Sequence, residues 1–131
     1  MLFRSGGLIN IHRALLRLAG DSSSAALRPQ DVTERARQGD AACARAVGVF
    51  CAVFGAIAGD LALTLGAWDG VYLTGGLVPK LLPELQSGVF RERFEAKGRF
   101  SAAMASVPTL AVIHPQAGLL GAAAHARNVI A

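Results

Sequence analysis

Residues 70–80, Gly-Val-Tyr-Leu-Thr-Gly-Gly-Leu-Val-Pro-Lys, hold the residue types best suited to carrying a ligand. Val71, Tyr72, Leu73 and Thr74 form a short β-prone run of the kind that makes a buried strand. Gly75 and Gly76 end that run, and Pro79 stands where a helix could begin. A strand running into a glycine pair gives a turn without Cβ atoms, so a flat ligand can lie against bare backbone. Open α/β sheets bind ligands just beyond such strand ends. Taken alone, the same residues also make a plain tight turn.

Mostly helices must position this turn. Residues 8–18 have helical apolar spacing through Leu8, Ile11, Leu15 and Leu18. Residues 20–26 read as a polar, serine-rich linker. Pro29 opens a helix through Arg37 with Gly39 as its stop, and Asp40 caps a long alanine-rich helix reaching about Leu65. Beyond the glycine pair, Pro79 and Pro83 mark short helical turns. Residues 89–96 read as an amphipathic helix closed by Lys97-Gly98. Residues 107–113 read as a second strand with Pro108 at its start, and residues 117–129 as a final small-residue helix. No internal repeat is present. Two strands cannot make an independent sheet with a covered core. The chain should therefore expose an apolar sheet edge or helix face, which favours self-association.

Composition fits a compact α/β piece. The 131 residues are 53% hydrophobic and 17% charged, which excludes a disordered tail. The net charge of +4 and pI near 9.8 come from scattered Lys and Arg, without a basic run or aromatics to stack on bases. Nucleic-acid binding is not expected. Residues 46–59 are uncharged, but this run of roughly 14 residues falls below the roughly 20 that a spanning helix needs. A buried core helix is expected there, with Gly48, Gly55 and Gly59 allowing another element to approach closely. The N-terminus shows neither a long apolar core nor a small-residue cleavage site, so no signal peptide is expected.

Other reactive residue types have plainer readings. Cys43 and Cys51 can share a helix face but lie too far apart for a disulfide, and read as small buried hydrophobes. His12, His114 and His125 fit no metal motif and read as structural or surface residues. Asp60, inside an apolar helix, should be satisfied by a backbone amide or an arginine, with a nucleotide or metal as the alternative. Lys97 and Arg99 read as solvated, and Trp68 as a packing residue.

Several segments together point to a family. The stretch 66–80 resembles the adenosine motif of the bacterial glucokinases, sugar kinases with the actin and hexokinase type of ATPase fold. Gly7-Leu8-Ile9-Asn10-Ile11-His12-Arg13-Ala14 resembles the family's Gly-Leu-x-Asn-x-x-Arg-Ala helix start. Asp31-Val32-Thr33-Glu34-Arg35-Ala36 is similar to its Asp-Ile-Thr-Glu-Arg-Ala, and Phe94-Glu95-Ala96-Lys97-Gly98-Arg99-Phe100 to its Phe-Glu-x-Lys-Gly-Arg-Phe. Residues 114–124 resemble its closing segment, with Gly118-Leu119-Leu120-Gly121 intact. These matches run in the family's order and cover essentially the whole chain.

The family's Asp-x-Gly-Gly-Thr phosphate loop, its Asn-Asp pair bearing the catalytic carboxylate, and its Glu-x-x-His glucose grip do not occur in this sequence. The resemblance therefore implies that residues 1–131 are the C-terminal portion of a glucokinase large domain. The implied fold class is α/β, part of an actin-like (ribonuclease H-like) ATPase domain, helix-rich with few strands.

The complete enzyme would use ATP with Mg²⁺ to phosphorylate the 6-hydroxyl of glucose. This chain would supply the adenosine side, hold no catalytic residue and no metal ligand, and be inactive alone. The implied nucleotide contacts are Gly75 and Gly76 on one side of the purine, with Ser5, Gly6, Gly7 and Asn10 on the other; a local cap or packing role is the equal alternative for Asn10. Here Arg4-Ser5-Gly6-Gly7 stands where the family has Ser-Gly-Pro-Gly, a looser loop because a glycine replaces a proline. A cytoplasmic homodimer without membrane contact is expected. The alternative is a non-catalytic nucleotide-binding or dimerisation module.

Overall fold

The computed structural model describes residues 5–21 and 27–130. The far end of the serine-rich linker, residues 22–26, lies outside them. Helix α1 (Ser5–Leu18) is followed by α2 (Pro29–Arg37), with Pro29 at its first position. Arg28 N–H donates to the Asp31 carboxylate at 2.8 Å, and the Arg28 guanidinium pairs with the same group. Asp31 thus caps the start of its own helix, one of the orphan-donor solutions that helix starts require.

Helix α3 (Ala41–Leu65) begins at Asp40, whose side chain accepts from Cys43 N–H at 2.9 Å, and ends at Gly66 with φ of 63°. It is the central beam. Cys43, Ala46, Val47, Phe50, Cys51, Gly55, Ala58, Gly59 and Ala62 are buried against α1, α2 and the later helix α5 (Val89–Glu95). The uncharged run is short, but the helix containing it has 25 residues and enough apolar character to cross a bilayer by length and composition. Its buried positions follow the sides that meet the other helices, as in a core helix.

Glycine lets α3 and α5 touch backbone to backbone. A Cβ on Gly55 would lie 2.1 Å from the Phe90 carbonyl oxygen, and one on Gly59 2.3 Å from that of Phe94. Gly48, the third glycine of the run, faces open space instead. Lys97, read from sequence as solvated, lies across this seam with its side chain only 9% exposed. Its ammonium donates to the Ala56 carbonyl at 2.8 Å and pairs with Asp60 at 2.6 Å. Asp60 is accordingly satisfied by a lysine rather than an arginine or an amide, and its side chain is 65% exposed on the outer face of α3.

Strand β1 (Val71–Leu73) pairs in parallel with β2 (Thr109–Ala111), in the register Val71 to Thr109, Tyr72 to Leu110 and Leu73 to Ala111. The crossover between them holds a 3₁₀ turn (Pro79–Leu81), α4 (Leu82–Gln86), α5, a second 3₁₀ turn (Gly98–Phe100) and α6 (Ser101–Ser106). The sequence reading omits α6, and its second strand is longer than the three residues that pair. Arg91 ties this region together. Its guanidinium donates to the carbonyls of Ala105 and Val107 at 2.7 Å each and of Met104 at 3.2 Å, and pairs with Glu95. It thereby gives a donor to the carbonyls of Ala105 and Val107 at the end of α6 and a second donor to that of Met104, which also accepts from Val107 N–H at 3.2 Å.

The described fold is a helix-rich α/β arrangement with one face left open. Leu73 points into the core, whereas the register partners Tyr72 and Leu110 are 66% and 45% exposed. Helix α7 (Ala117–Ile130) is exposed at every described position after Ala117. Trp68, expected to pack, is half-exposed on the same side of the sequence as β1. The sequence leads to an exposed apolar sheet edge or helix face; the described residues expose the apolar side chains of α7 and, on the sheet, Tyr72 and Leu110.

Candidate functional site

The glycine pair opens directly into a cavity. Gly75 has φ of 108°, a conformation that L side chains rarely adopt, and its carbonyl accepts from Val78 N–H at 3.2 Å to close the turn. Gly76 has ordinary backbone geometry, and a Cβ there would meet nothing within 4 Å. Together with Thr74, Leu77, Val78 and Lys80 they form one wall of a cleft of about 560 Å³. That volume lies within the usual range of small-molecule sites.

The floor and second wall come from helices. Phe50 and Phe54 of α3 and Leu85 of α4 are apolar, and the Phe54 ring meets Phe90 edge-on at 5.4 Å between centroids. Pro29, Gln30 and Thr33 of α2 supply the rest. The Thr33 hydroxyl donates to the Gln30 carbonyl at 2.8 Å, so it is already committed. Lys80 is the lone charged side chain among the described lining residues, and no carboxylate joins it. Apolar floor, bare glycine backbone and one cation suit a flat ring carrying a negative group.

An ion pair fixes the two walls relative to one another. Arg37 of α2 holds Glu84 of α4 through two bonds of 2.7 and 3.0 Å, and also donates to the Lys80 carbonyl at 2.6 Å. This bidentate geometry resists rotation. Glu84 raises the Arg37 pKa above its ordinary value through this hydrogen bond.

The remaining candidates are placed differently. Gly6, Gly7 and Asn10 lie in α1 with Gly7 buried and Asn10 exposed, and none of them lines the cleft. Ser5 is the first residue of α1, and its side chain lies outside the described residues. The structure therefore brings Gly75 and Gly76 together with α2 rather than with α1. Gln30 and Thr33 escape a reading of sequence alone because α2 reaches the cleft only through tertiary packing, whereas Lys80 closes the 70–80 stretch, where the sequence reading gives it no role.

A second constellation invites chemistry and does not support it. The Cys43 thiol lies 3.5 Å from His12 Nε2, both side chains being buried, with Asp40 beside them. Burial, with help from the Asp40 charge, pushes the thiol pKa up to about 11. Cys43 is thus a protonated thiol at neutral pH, not a nucleophile. Cys51 is likewise raised to about 11 by burial. Among the described residues no three His, Cys, Asp or Glu side chains come together in a way that could hold a metal ion.

Comparison with known proteins is consistent across three kinds of match. The family model described as Glucokinase matches residues 3–129. A glucokinase of Stenotrophomonas maltophilia is 66% identical over 122 residues, covering 93% of this chain and 36% of the relative. A glucokinase of Xanthomonas euvesicatoria is 62% identical over 120 residues, covering 92% and 36%. A crystal structure of a glucokinase from an Antarctic psychrotroph superimposes with a TM-score of 0.86 at 31% identity, over 97% of this chain and 39% of that one. The chain thus spans little more than a third of the length of the relatives it matches.

Proposed function

The chain belongs to the glucokinase family, and from that premise we propose that it forms the adenosine side of an ATP-dependent glucokinase. The observation that carries this reading is the cleft at the end of β1, where Gly75 and Gly76 leave bare backbone above an aromatic floor. A purine fits that floor, and Lys80 sits at the wall where a phosphate chain would leave it. In the complete enzyme the γ-phosphoryl group of ATP passes to the 6-hydroxyl of glucose, a reaction that rests on positioning and electrostatics. The family resemblance also puts forward Ser5, Gly6, Gly7 and Asn10 of α1 as contacts on the other side of the purine, although Gly6, Gly7 and Asn10 do not line the cleft.

In the same proposal Mg²⁺ arrives on the ATP phosphates. The sugar ligands, phosphate loop and catalytic carboxylate of the family motifs do not occur in residues 1–131, and the proposal is that these residues alone turn over no substrate. The actin-like ATPase architecture, a cytoplasmic setting and a homodimer belong to the same proposal. The exposed α7 and sheet face favour, as a second reading, a dimerisation or nucleotide-binding module without turnover.

Complementation separates the two. The chain is mixed with the Stenotrophomonas glucokinase shortened by the segment that this chain matches, and glucose 6-phosphate is measured. Glucose phosphorylation that neither piece shows alone is the expected result. Its absence, with a dimer of this chain persisting, would favour the module.

A further inference from the structure

The α2 wall of the cleft carries a group that the nucleotide reading leaves unused. Gln30 sits in the first turn of α2, exposed, and its side-chain amide makes no hydrogen bond among the described residues. The other polar lining groups differ in kind. Thr33 is committed to the Gln30 carbonyl, Lys80 is a point charge suited to phosphate, and Thr74 offers a single hydroxyl. Gln30 alone among them presents a donor and an acceptor side by side in one plane.

We infer that Gln30 is the specificity-determining residue of this cleft, reading the edge of the base and favouring adenine over guanine. The inference rests on the cleft being a nucleotide site. An amide matches adenine's neighbouring amino donor and ring-nitrogen acceptor with two parallel hydrogen bonds. Guanine shows two acceptors on its corresponding edge, which leaves the amide carbonyl facing another oxygen. A carboxylate in the same place can only accept, and so matches the adjacent N–H donors on the pairing edge of guanine. The apolar floor of Phe50, Phe54 and Leu85 would hold the ring but cannot tell one purine from another.

The test is titration of the chain with ATP and with GTP, repeated on Gln30→Ala and Gln30→Glu, with thermal melts confirming that both variants fold. The parent should prefer ATP. Gln30→Ala should reduce the ATP-to-GTP affinity ratio by about tenfold, and Gln30→Glu should move the preference toward GTP. A ratio unchanged in both variants, with ATP still bound, would overturn the role of Gln30 while leaving the nucleotide site standing. Failure of the parent to bind either nucleotide would overturn the site itself and this inference with it.

Discussion

Between α3 and α5 two helical backbones touch with Lys97 across the seam on Ala56 and Asp60, while Arg91 of α5 holds Glu95 and three carbonyls at the end of α6. From residue 109 onward the same chain shows the opposite character. Leu110 and Tyr72 share an uncovered sheet face, and Leu119, Leu120 and Val129 of α7 stand in solvent. The first region is closed by its own residues. The second presents apolar surface that this chain does not cover, and such surface is what neighbouring polypeptide usually buries. The proposed nucleotide cleft belongs to the closed region, since its aromatic floor rests on the α3–α5 seam.

If the seam is as tight as Gly55 makes it, filling it should be the most damaging change. Gly55→Ala drives a methyl group into the Phe90 carbonyl and should cost about 3 kcal/mol, read as a lowered urea midpoint. Gly48→Ala on the same helix, with open space around it, should instead stabilise slightly, because alanine suits a helix better than glycine. Equal effects at the two glycines would break the contrast.

Removing Arg91 attacks the closed region from its other end. Arg91→Met keeps the side-chain bulk but strips the carbonyls of Ala105 and Val107 of the guanidinium donor and leaves that of Met104 with Val107 N–H alone. A loss of about 2 kcal/mol is expected in the same unfolding assay. A neutral result would show that water replaces the guanidinium, and that the α6 end is more open than the seam.

Asp40 gives a smaller effect with a definite pH signature. The Cys43 N–H bond lowers its carboxyl pKa below the usual value. A carboxylate depressed in the folded state adds stability above its unfolded pKa and loses it as pH falls through the folded one. Asp40→Ala should therefore cost about 1 kcal/mol near neutrality. The gap between variant and parent should close in acid, which melts across a pH series would reveal.

The smallest stability change is expected in the open region. Leu119→Ser with Leu120→Ser should shift unfolding by less than about 0.5 kcal/mol, yet reduce self-association in sedimentation. A large loss of stability would mean that α7 packs on its own chain after all.

Legibility in the sequence followed the range of the interactions. Helices α2 and α3 could be placed because Pro29, Gly39 and Asp40 act within a few residues of themselves, and α1 and β1 because their apolar spacing and β-prone run are local too. The Gly75-Gly76 turn was visible for the same reason. Helix α6 was not, since Ser101–Ser106 is too short for a periodic pattern and is held by Arg91 and a buried Met104. The burial of Lys97, the His12–Cys43 contact and the α2 wall with Gln30 all join segments 31 or more residues apart or bring a whole helix to the cleft. Such pairings depend on how elements pack, which composition and spacing within one segment do not encode.

The most direct test of the central claim is ATP binding to this chain, measured by calorimetry and repeated with Gly76→Val. That substitution places a side chain in open cleft space without the backbone strain that Gly75 would suffer. The expected result is binding by the parent, loss of binding in the variant, and the same melting temperature for both. No binding by the parent, or equal binding by both, would contradict the assignment of the cleft as the adenosine site.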